Sequence, residues 1–205
     1  MHLTMILALF MNPGIIVAGV AIIFIALVTV VVLYNGLAVR RVRVANAFSQ
    51  IDVQLRRRSD LIPNLVEVVK AYAQHERSTL EAVLRARGSV NAAAGEASAG
   101  NFGAIRSLSV ASMALGGALG ALFARIEAYP DLKANTQFIA LQEQLSSTEN
   151  RVAFARQALN DAVMRYNEGL VTFPGNLVAG VFKFQQAELW TTSEDSRALP
   201  SVGIS

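Results

Sequence analysis

No Asp, Glu, Lys or Arg precedes Arg40, and this feature constrains the fold more than any other. Within this uncharged stretch, residues 14–34 form the run GIIVAGVAIIFIALVTVVVLY, in which only Thr29 and Tyr34 carry polar side-chain groups. At 1.5 Å of rise per residue, a helix of this length spans roughly 30 Å, the thickness of a bilayer's hydrocarbon core. We therefore predict a transmembrane helix at residues 14–34.

A cleaved secretory signal is the alternative explanation of this segment. Signal peptides combine a basic start, a shorter apolar core and a small-residue cleavage site. Here no Lys or Arg precedes the run, which continues into Tyr34-Asn35-Gly36-Leu37 without a convincing cleavage signal. We favour a permanent anchor. Residues 1–13, apolar and interrupted at Asn12-Pro13, are expected to form a short extracytoplasmic or interfacial tail.

Three arginines directly after the span predict its orientation. Arg40, Arg41 and Arg43 follow it, whereas only the weakly basic His2 precedes it. The positive-inside rule then places the N-terminus outside and the following domain in the cytoplasm. In a bacterium, we expect this anchor to lie in the inner membrane. Within about two helical turns of the bilayer, each arginine can gain ~1 kcal/mol from anionic lipid. We expect all three to contact lipid headgroups.

The rest of the chain carries apolar residues at helical spacing, with no convincing strand-type alternation. The membrane helix is predicted to continue past Leu55, and Pro63 is expected either to kink it or to mark a restart. The further predictions are a second helix over about 64–90, a small-residue loop over 88–103, a third helix over about 104–129 and a fourth over about 132–170. The Gly116-x-x-x-Gly120 stretch of the third helix is marginally apolar, so we favour a packed bundle helix over a second span.

The fourth predicted helix has the most regular pattern. Apolar or small residues occur in two columns of a heptad repeat, and they are Phe138, Leu141, Leu145, Thr148, Val152, Ala155, Leu159, Ala162 and Tyr166. Such a seam packs against a neighbouring helix, and small residues allow close approach. A helix of this length reaches roughly 58 Å. The sequence therefore predicts an all-α fold, an elongated antiparallel bundle over residues 35–190.

After the break at Phe173-Pro174-Gly175, the chain has a short apolar segment with a single Lys. Its large apolar residues are Leu177, Val178, Val181, Phe182 and Phe184. Together they cover too much of a helix circumference for one core face, so we expect contact with another protomer or the membrane interface, with burial in the bundle as the equal alternative. Residues 191–205 are expected to be extended or disordered.

The basic residues are concentrated near the span. Residues 40–58 carry six Arg against Asp52, a local charge of +5, which leaves −2 for the rest of the chain. On a continuous helix, Arg56, Arg57 and Arg58 lie roughly 33 Å from the membrane, beyond several Debye lengths. We expect intra-bundle ion pairs, for example with carboxylates of the fourth helix, with docking of an acidic partner as the alternative. Nucleic-acid binding is not expected, because no aromatic platform accompanies the patch.

Several ordered motifs resemble those of the LemA family. They are YNGL at 34–37, FSQIDVQLRRRSDLIPNLV at 48–66, YAQHE at 72–76, YPDLKAN at 129–135, LQEQLSSTEN at 141–150, Arg156, Tyr166-Asn167 and Phe173-Pro174. The resemblance covers about residues 30–190 and implies an N-terminal membrane helix with a cytoplasmic bundle of long antiparallel helices. The resemblance does not imply any particular chemical reaction. One branch of the family takes part in building magnetosome membranes, which implies scaffolding or remodelling of a bilayer. The tail departs from the family pattern at Ser201-Val202-Gly203-Ile204.

The sequence offers little for catalysis. It has no Cys and only two His, so Cys–His nucleophile pairs and most transition-metal sites are excluded. His75-Glu76 lacks the second His that zinc proteases require, so we interpret His75 as a partly buried structural residue. We expect no enzyme activity, cofactor, metal or small-molecule substrate.

Two functional hypotheses remain. The first is a membrane-tethered scaffold that self-assembles as a homo-oligomer or organises other membrane proteins. The second is a monomeric accessory or sensor subunit that docks an acidic partner, such as a membrane protease or signalling protein, through Arg56–Arg58.

Overall fold

In a computed structural model, which describes residues 13–97 and 104–190, the chain forms six α-helices: α1 (Pro13–Tyr72), α2 (Arg77–Glu96), α3 (Ala104–Ile126), α4 (Pro130–Lys133), α5 (Thr136–Val171) and α6 (Gly175–Val181). Every regular element in these two ranges is helical, which confirms the all-α prediction. The tails expected at residues 1–13 and 191–205 lie outside the described residues, apart from Pro13.

Helix α1 is both the candidate membrane span and the first helix of the bundle. It has 60 residues, which corresponds to roughly 90 Å. The most apolar stretch of 18 residues in this helix contains no buried residue, whereas from Leu37 onward one face of the helix is buried. The bundle is therefore attached to the apolar segment by an unbroken helix and not by a linker.

Helix α5 packs against α1 in the antiparallel direction. At the far end, Nδ2 of Asn135 donates to the Tyr72 hydroxyl at 3.0 Å. At the near end, Nη1 of Arg40 donates to the carbonyl oxygen of Arg165 at 3.1 Å. Contacts at both ends give an elongated antiparallel pair, as the sequence predicts.

The predicted heptad residues of α5 form its buried face. Phe138, Leu141, Leu145, Thr148, Val152, Ala155, Leu159 and Tyr166 are buried, while Ala162 is half-buried and its neighbour Val163 is fully buried. The predicted start of this helix was wrong, because α4 precedes it as a separate turn. Asn135 caps α5, since its side-chain oxygen accepts the Phe138 N–H at 3.0 Å.

Helix α1 continues through Pro63 and does not restart there, so the second helix predicted from residue 64 was wrong. Proline has no N–H, which leaves the carbonyl of the residue four positions earlier, Ser59, without its helical donor. Nε of Arg87 on α2 donates to that carbonyl at 2.9 Å. The Ser59 hydroxyl also donates to Asn91 at 2.7 Å. The neighbouring helix thus satisfies the backbone acceptor that Pro63 leaves open.

Helices α2 and α3 form a second antiparallel pair. The loop predicted over residues 88–103 was wrong at its start, because α2 extends to Glu96. The run Ala92–Ala94 favours helix, and Val90 is buried.

Like α1, α3 is long and apolar enough to cross a membrane, but 39% of its most apolar stretch is buried in the bundle. One face of α3 is buried, as is typical of a helix packed in a bundle, and it includes Leu108, Leu115 and Leu122.

Candidate functional site

The bundle has a distinct end at the level where the apolar run of α1 stops. There the ring of Tyr34 lies 4.8 Å from that of Phe182 and 5.6 Å from that of Phe184. Tyrosine is enriched at membrane–water interfaces, where its ring is half in an apolar and half in a polar environment. Because helix α6 packs against both α1 and α5, it lies at this same end. We call this region the proximal end.

A turn flanks α6 at each end. The Phe173–Pro174 peptide bond is cis, and α6 begins at Gly175. A Cβ atom on Gly175 would lie 2.6 Å from the carbonyl oxygen of Gly169, so the turn requires glycine. At the other end of α6, Lys183 adopts a φ of 55°, and the Phe184 N–H donates to the Ala179 carbonyl at 3.0 Å. This Schellman-type end reverses the chain direction.

The five apolar residues that were predicted to contact another protomer or the membrane differ in their exposure. Val178 is buried and Phe184 is partly buried against the core. Leu177, Val181 and Phe182 are exposed, with Val181 at 76%. Leu177 and Val181 are four residues apart, so they share one face of α6. Sequence reasoning missed Phe173, which is 74% exposed at the same end. Its position before the proline gave no signal of exposure.

Residues 185–190, which we call the strap, have no regular secondary structure and run along α5, to which they are hydrogen-bonded. Asn167 donates to the Ala187 carbonyl and accepts its N–H, at 2.8 and 2.9 Å. Asn160 does the same with Trp190, at 3.1 and 2.8 Å. Seven helical residues advance roughly 10.5 Å and three extended residues roughly 10 Å, so the two spacings match. The strap therefore lies along α5.

The three arginines after the span have different surroundings. Arg40 reaches α5, as described above. The positive charge of Arg41 acts on Tyr166, whose hydroxyl donates to the strap at the Gln185 carbonyl. Burial raises the pKa of Tyr166 from its ordinary value, and the charge of Arg41 opposes this rise. Arg43 is exposed and, with Arg40, lines an open cavity beside α5.

Arg56, Arg57 and Arg58 do not form one surface. Arg56 pairs with Asp52 one turn earlier, at 2.8 Å. Arg58 is buried and forms an ion pair with Glu149 on α5. Burial lowers the pKa of the Arg58 guanidinium, while the Glu149 carboxylate opposes this effect. Of the three side chains, Arg57 is the exposed one with no ion pair to a described residue.

The pair His75-Glu76 lies in the turn between α1 and α2. The prediction that His75 is partly buried was wrong, because its side chain is exposed. Glu76 instead accepts a hydrogen bond from the Tyr129 hydroxyl at 3.1 Å and lies 4.0 Å from Nε of Arg125. These contacts tie the turn to the end of α3. In the described parts of the chain, no group of three or more His, Asp or Glu residues is placed to hold a metal ion.

This fold is typical of membrane-anchored all-α proteins. In it, an apolar segment long enough to span a membrane continues directly into the first core helix of a bundle. The chain belongs to the LemA family, whose sequence model matches residues 47–203. This confirms the resemblance found in the sequence motifs.

Characterised relatives carry the name magnetosome protein MamQ. MamQ 1 and MamQ 2 of Paramagnetospirillum magneticum are each 28% identical to this chain over 157 residues, and MamQ of Magnetospirillum gryphiswaldense is 27% identical. Each alignment covers 68% of this chain and 58% of the relative, so the chain spans less than two thirds of each relative's length. The apolar helix and these relatives fit a bacterial membrane protein.

Proposed function

We propose that the protein is a non-enzymatic, membrane-anchored helical scaffold that self-assembles and organises the membrane or its proteins. The N-terminus lies outside, residues 14–34 span the inner membrane, and the bundle lies in the cytoplasm. The membrane-associated part of this role agrees with family membership and with relatives named magnetosome proteins.

The observation that carries the proposal is the continuity of α1. Because the span and the first core helix are one rigid element, the bundle stands at a fixed height on the bilayer. Exposed apolar residues at the proximal end, Val181 and Phe182 among them, would otherwise face water at a free-energy cost. Burying them at the interface also attaches the end of α5 to the membrane surface. Such a rigid, upright module suits lateral assembly.

A groove between α1 and α5 supplies a surface for a second copy. It has a volume of about 640 Å³ and is lined by Ser49, Gln50, Val53, Gln54, Arg151, Phe154, Ala155 and Ala158. Phe154 is 75% exposed and Val53 is 59% exposed, while the alanines and the serine leave space beside them. The groove therefore contains both a large protruding side chain and an adjacent recess.

Because both copies are anchored in the membrane, the groove of one copy can pack against the groove of the other. Two anchored copies have their bundles at the same height, so a two-fold axis between them runs along the membrane normal. Under that symmetry, each contact residue meets residues at its own level. Phe154 of one copy can then fill the recess beside Ala158 of the other, and the reverse contact forms at once.

Cysteine crosslinking tests this assembly cleanly, because the natural chain has no Cys. In intact membranes, Phe154→Cys is expected to form a disulfide-linked dimer on mild oxidation. Ala92→Cys, exposed on α2 away from the groove, is the control and should remain monomeric. If Phe154→Cys crosslinks no better than Ala92→Cys, the proposed contact is wrong.

The alternative role, docking of an acidic partner through Arg56–Arg58, has less structural support. Arg58 is engaged with Glu149 inside the bundle and Arg56 with Asp52. An Arg57→Glu variant that released a bound partner while homo-oligomers persisted would favour this alternative over the scaffold.

A further inference from the structure

Two adjoining cavities run along the seam between α1 and α5 at the proximal end, each of about 390 Å³. The lower cavity is largely apolar, with Val32, Leu33, Phe173 and Pro174 in its lining. The upper cavity is lined by three arginines, Arg40, Arg43 and Arg165, and by Asp161 and Glu168. Arg40 and Glu168 line both cavities, so the apolar space leads directly to the charged one.

The height of these cavities matches the edge of a bilayer. Val32 and Leu33 belong to the apolar run, so the lower cavity opens at the level of the acyl chains. Arg40 is six residues beyond Tyr34, roughly 9 Å along the helix. A long arginine side chain bridges part of that distance toward the headgroup layer. The charged cavity is therefore within reach of lipid phosphates, and the apolar one within reach of their chains.

The arginines are available for an anion. The guanidinium groups of Arg43 and Arg165 make no hydrogen bond or ion pair with any described residue of the chain. Arg40 is held in place by its bond to the Arg165 carbonyl. Gly169 makes room for it, since a Cβ atom there would overlap Nη1 of Arg40 and come within 3.0 Å of a Leu37 methyl group. Guanidinium groups bind phosphate through paired, charge-assisted hydrogen bonds.

The two carboxylates narrow the choice of lipid. Asp161 and Glu168 share the rim with the three arginines, and neither forms an ion pair with them within the described residues. A headgroup that carries a cation beside its phosphate would satisfy both signs of charge. An ammonium group can also donate hydrogen bonds to carboxylates, which a quaternary choline group cannot.

We propose that this seam binds one phospholipid with an ethanolamine headgroup: Arg40, Arg43 and Arg165 hold its phosphate, Asp161 and Glu168 its ammonium, and the apolar cavity part of an acyl chain. The proposal rests on the membrane anchoring proposed above but not on self-assembly.

Native mass spectrometry of the full chain, released from vesicles of equal parts phosphatidylethanolamine, phosphatidylglycerol and phosphatidylcholine, tests the proposal. One phosphatidylethanolamine per chain should remain bound to the wild type. Arg43→Gln with Arg165→Gln should reduce its retention by about tenfold or more, because the phosphate loses two charge-assisted partners. Arg57→Gln with Arg77→Gln, both exposed elsewhere, is the matched control and should retain the lipid.

Two further variants test the geometry. Gly169→Ala should also weaken retention by displacing Arg40, and it keeps the test decisive if the double variant does not fold. Asp161→Asn with Glu168→Gln should shift the preference from phosphatidylethanolamine to phosphatidylglycerol. Soluble glycerophosphoethanolamine, which has no acyl chains, should compete poorly. Effective competition by it would show that the apolar cavity plays no part and would overturn the proposal.

The proposal is also wrong if no lipid is retained, or if the control pair loses lipid as readily as the Arg43 and Arg165 variants. The same spectra report the oligomeric state. An oligomer without bound lipid contradicts this inference alone, whereas a monomer that retains phosphatidylethanolamine supports it and contradicts self-assembly.

Discussion

Arg87 donates a hydrogen bond from Nε to the carbonyl oxygen of Ser59, at 2.9 Å. Ser59 is the residue whose helical donor is missing because Pro63 has no N–H. A side chain on α2 therefore replaces a backbone donor of α1, and this is how a proline sits inside a 60-residue helix.

This relationship predicts a coupled effect on stability. Arg87→Leu should lower the free energy of unfolding by about 1–3 kcal/mol, since it leaves a buried carbonyl without a donor. In a Pro63→Ala background the cost should be much smaller, because the new N–H bonds to Ser59. Denaturant unfolding of the four variants in detergent measures the coupling.

The control for that cycle is Arg85→Leu, which changes an exposed arginine on the same helix that pairs with Glu81 one turn away. It should change stability by less than ~0.5 kcal/mol. Equal costs for Arg87→Leu with and without Pro63 would show that the compensation is wrong.

A second prediction concerns the buried ion pair of Arg58 and Glu149. The Arg58 side chain is 6% exposed and that of Glu149 54%. Glu149→Gln should destabilise the bundle by about 1–3 kcal/mol, because it leaves a buried charge unpaired. Arg58→Met should cost less, since the remaining carboxylate is half in water and a buried cation is removed.

Thermal unfolding followed by circular dichroism compares the two variants, with Glu143→Gln as an exposed control on the same helix. If Arg58→Met proves more damaging than Glu149→Gln, the charge is stabilising in its own right and our account of the pair fails.

The strap gives a third prediction with a built-in reporter. Trp190 is the single tryptophan of the chain and is 3% exposed. Asn160→Ala removes both hydrogen bonds to its backbone, so the end of the strap at Trp190 should detach and expose the indole. The fluorescence emission of Trp190 should shift to longer wavelength, and its quenching by acrylamide should increase.

The control is Asn150→Ala, at an exposed position on α5, which should leave both the emission and the quenching unchanged. An unaltered spectrum for Asn160→Ala would mean that other contacts hold the strap.

The proximal end gives a fourth prediction. A fluorophore on Val181→Cys, in vesicles with nitroxide-labelled lipids, should be strongly quenched if α6 lies in the headgroup layer, as we propose. The control is Phe154→Cys, which is similarly exposed but lies higher on the bundle. Since residue 154 lies opposite residues near 53, it is roughly 28 Å above Tyr34. Similar weak quenching at both positions would show that α6 does not touch the membrane.

The sequence predicts the features that depend on local pattern. The apolar run preceding Arg40 marks the helix that can span a membrane, and the heptad columns from Phe138 to Tyr166 mark the buried face of α5. Both follow from periodicity, which a single segment contains in full. The family motifs add the antiparallel arrangement, which is shown by the contacts of Arg40 with Arg165 and of Tyr72 with Asn135.

The features that the sequence does not predict depend on residues far apart in the chain. The helix passes through Pro63 because of Arg87, on a different helix. The strap depends on Asn160 and Asn167, whose partners follow 30 and 20 residues later in the chain. Arg58 lies on the buried face of α1, three residues after Leu55 and four before Ile62, but its ion pair depends on where α5 places Glu149. None of these pairings leaves a periodic signal.

The central claim is that the anchored protein assembles with itself. Extraction from native membranes into a mild detergent or polymer disc, followed by mass measurement of the intact complex, tests it most directly. We predict a mass corresponding to two or more copies, and a shift toward the monomer for Phe154→Glu, which places a charge in the groove. A wild-type protein that is monomeric under these conditions, and that crosslinks to no second copy in the membrane, would contradict the account.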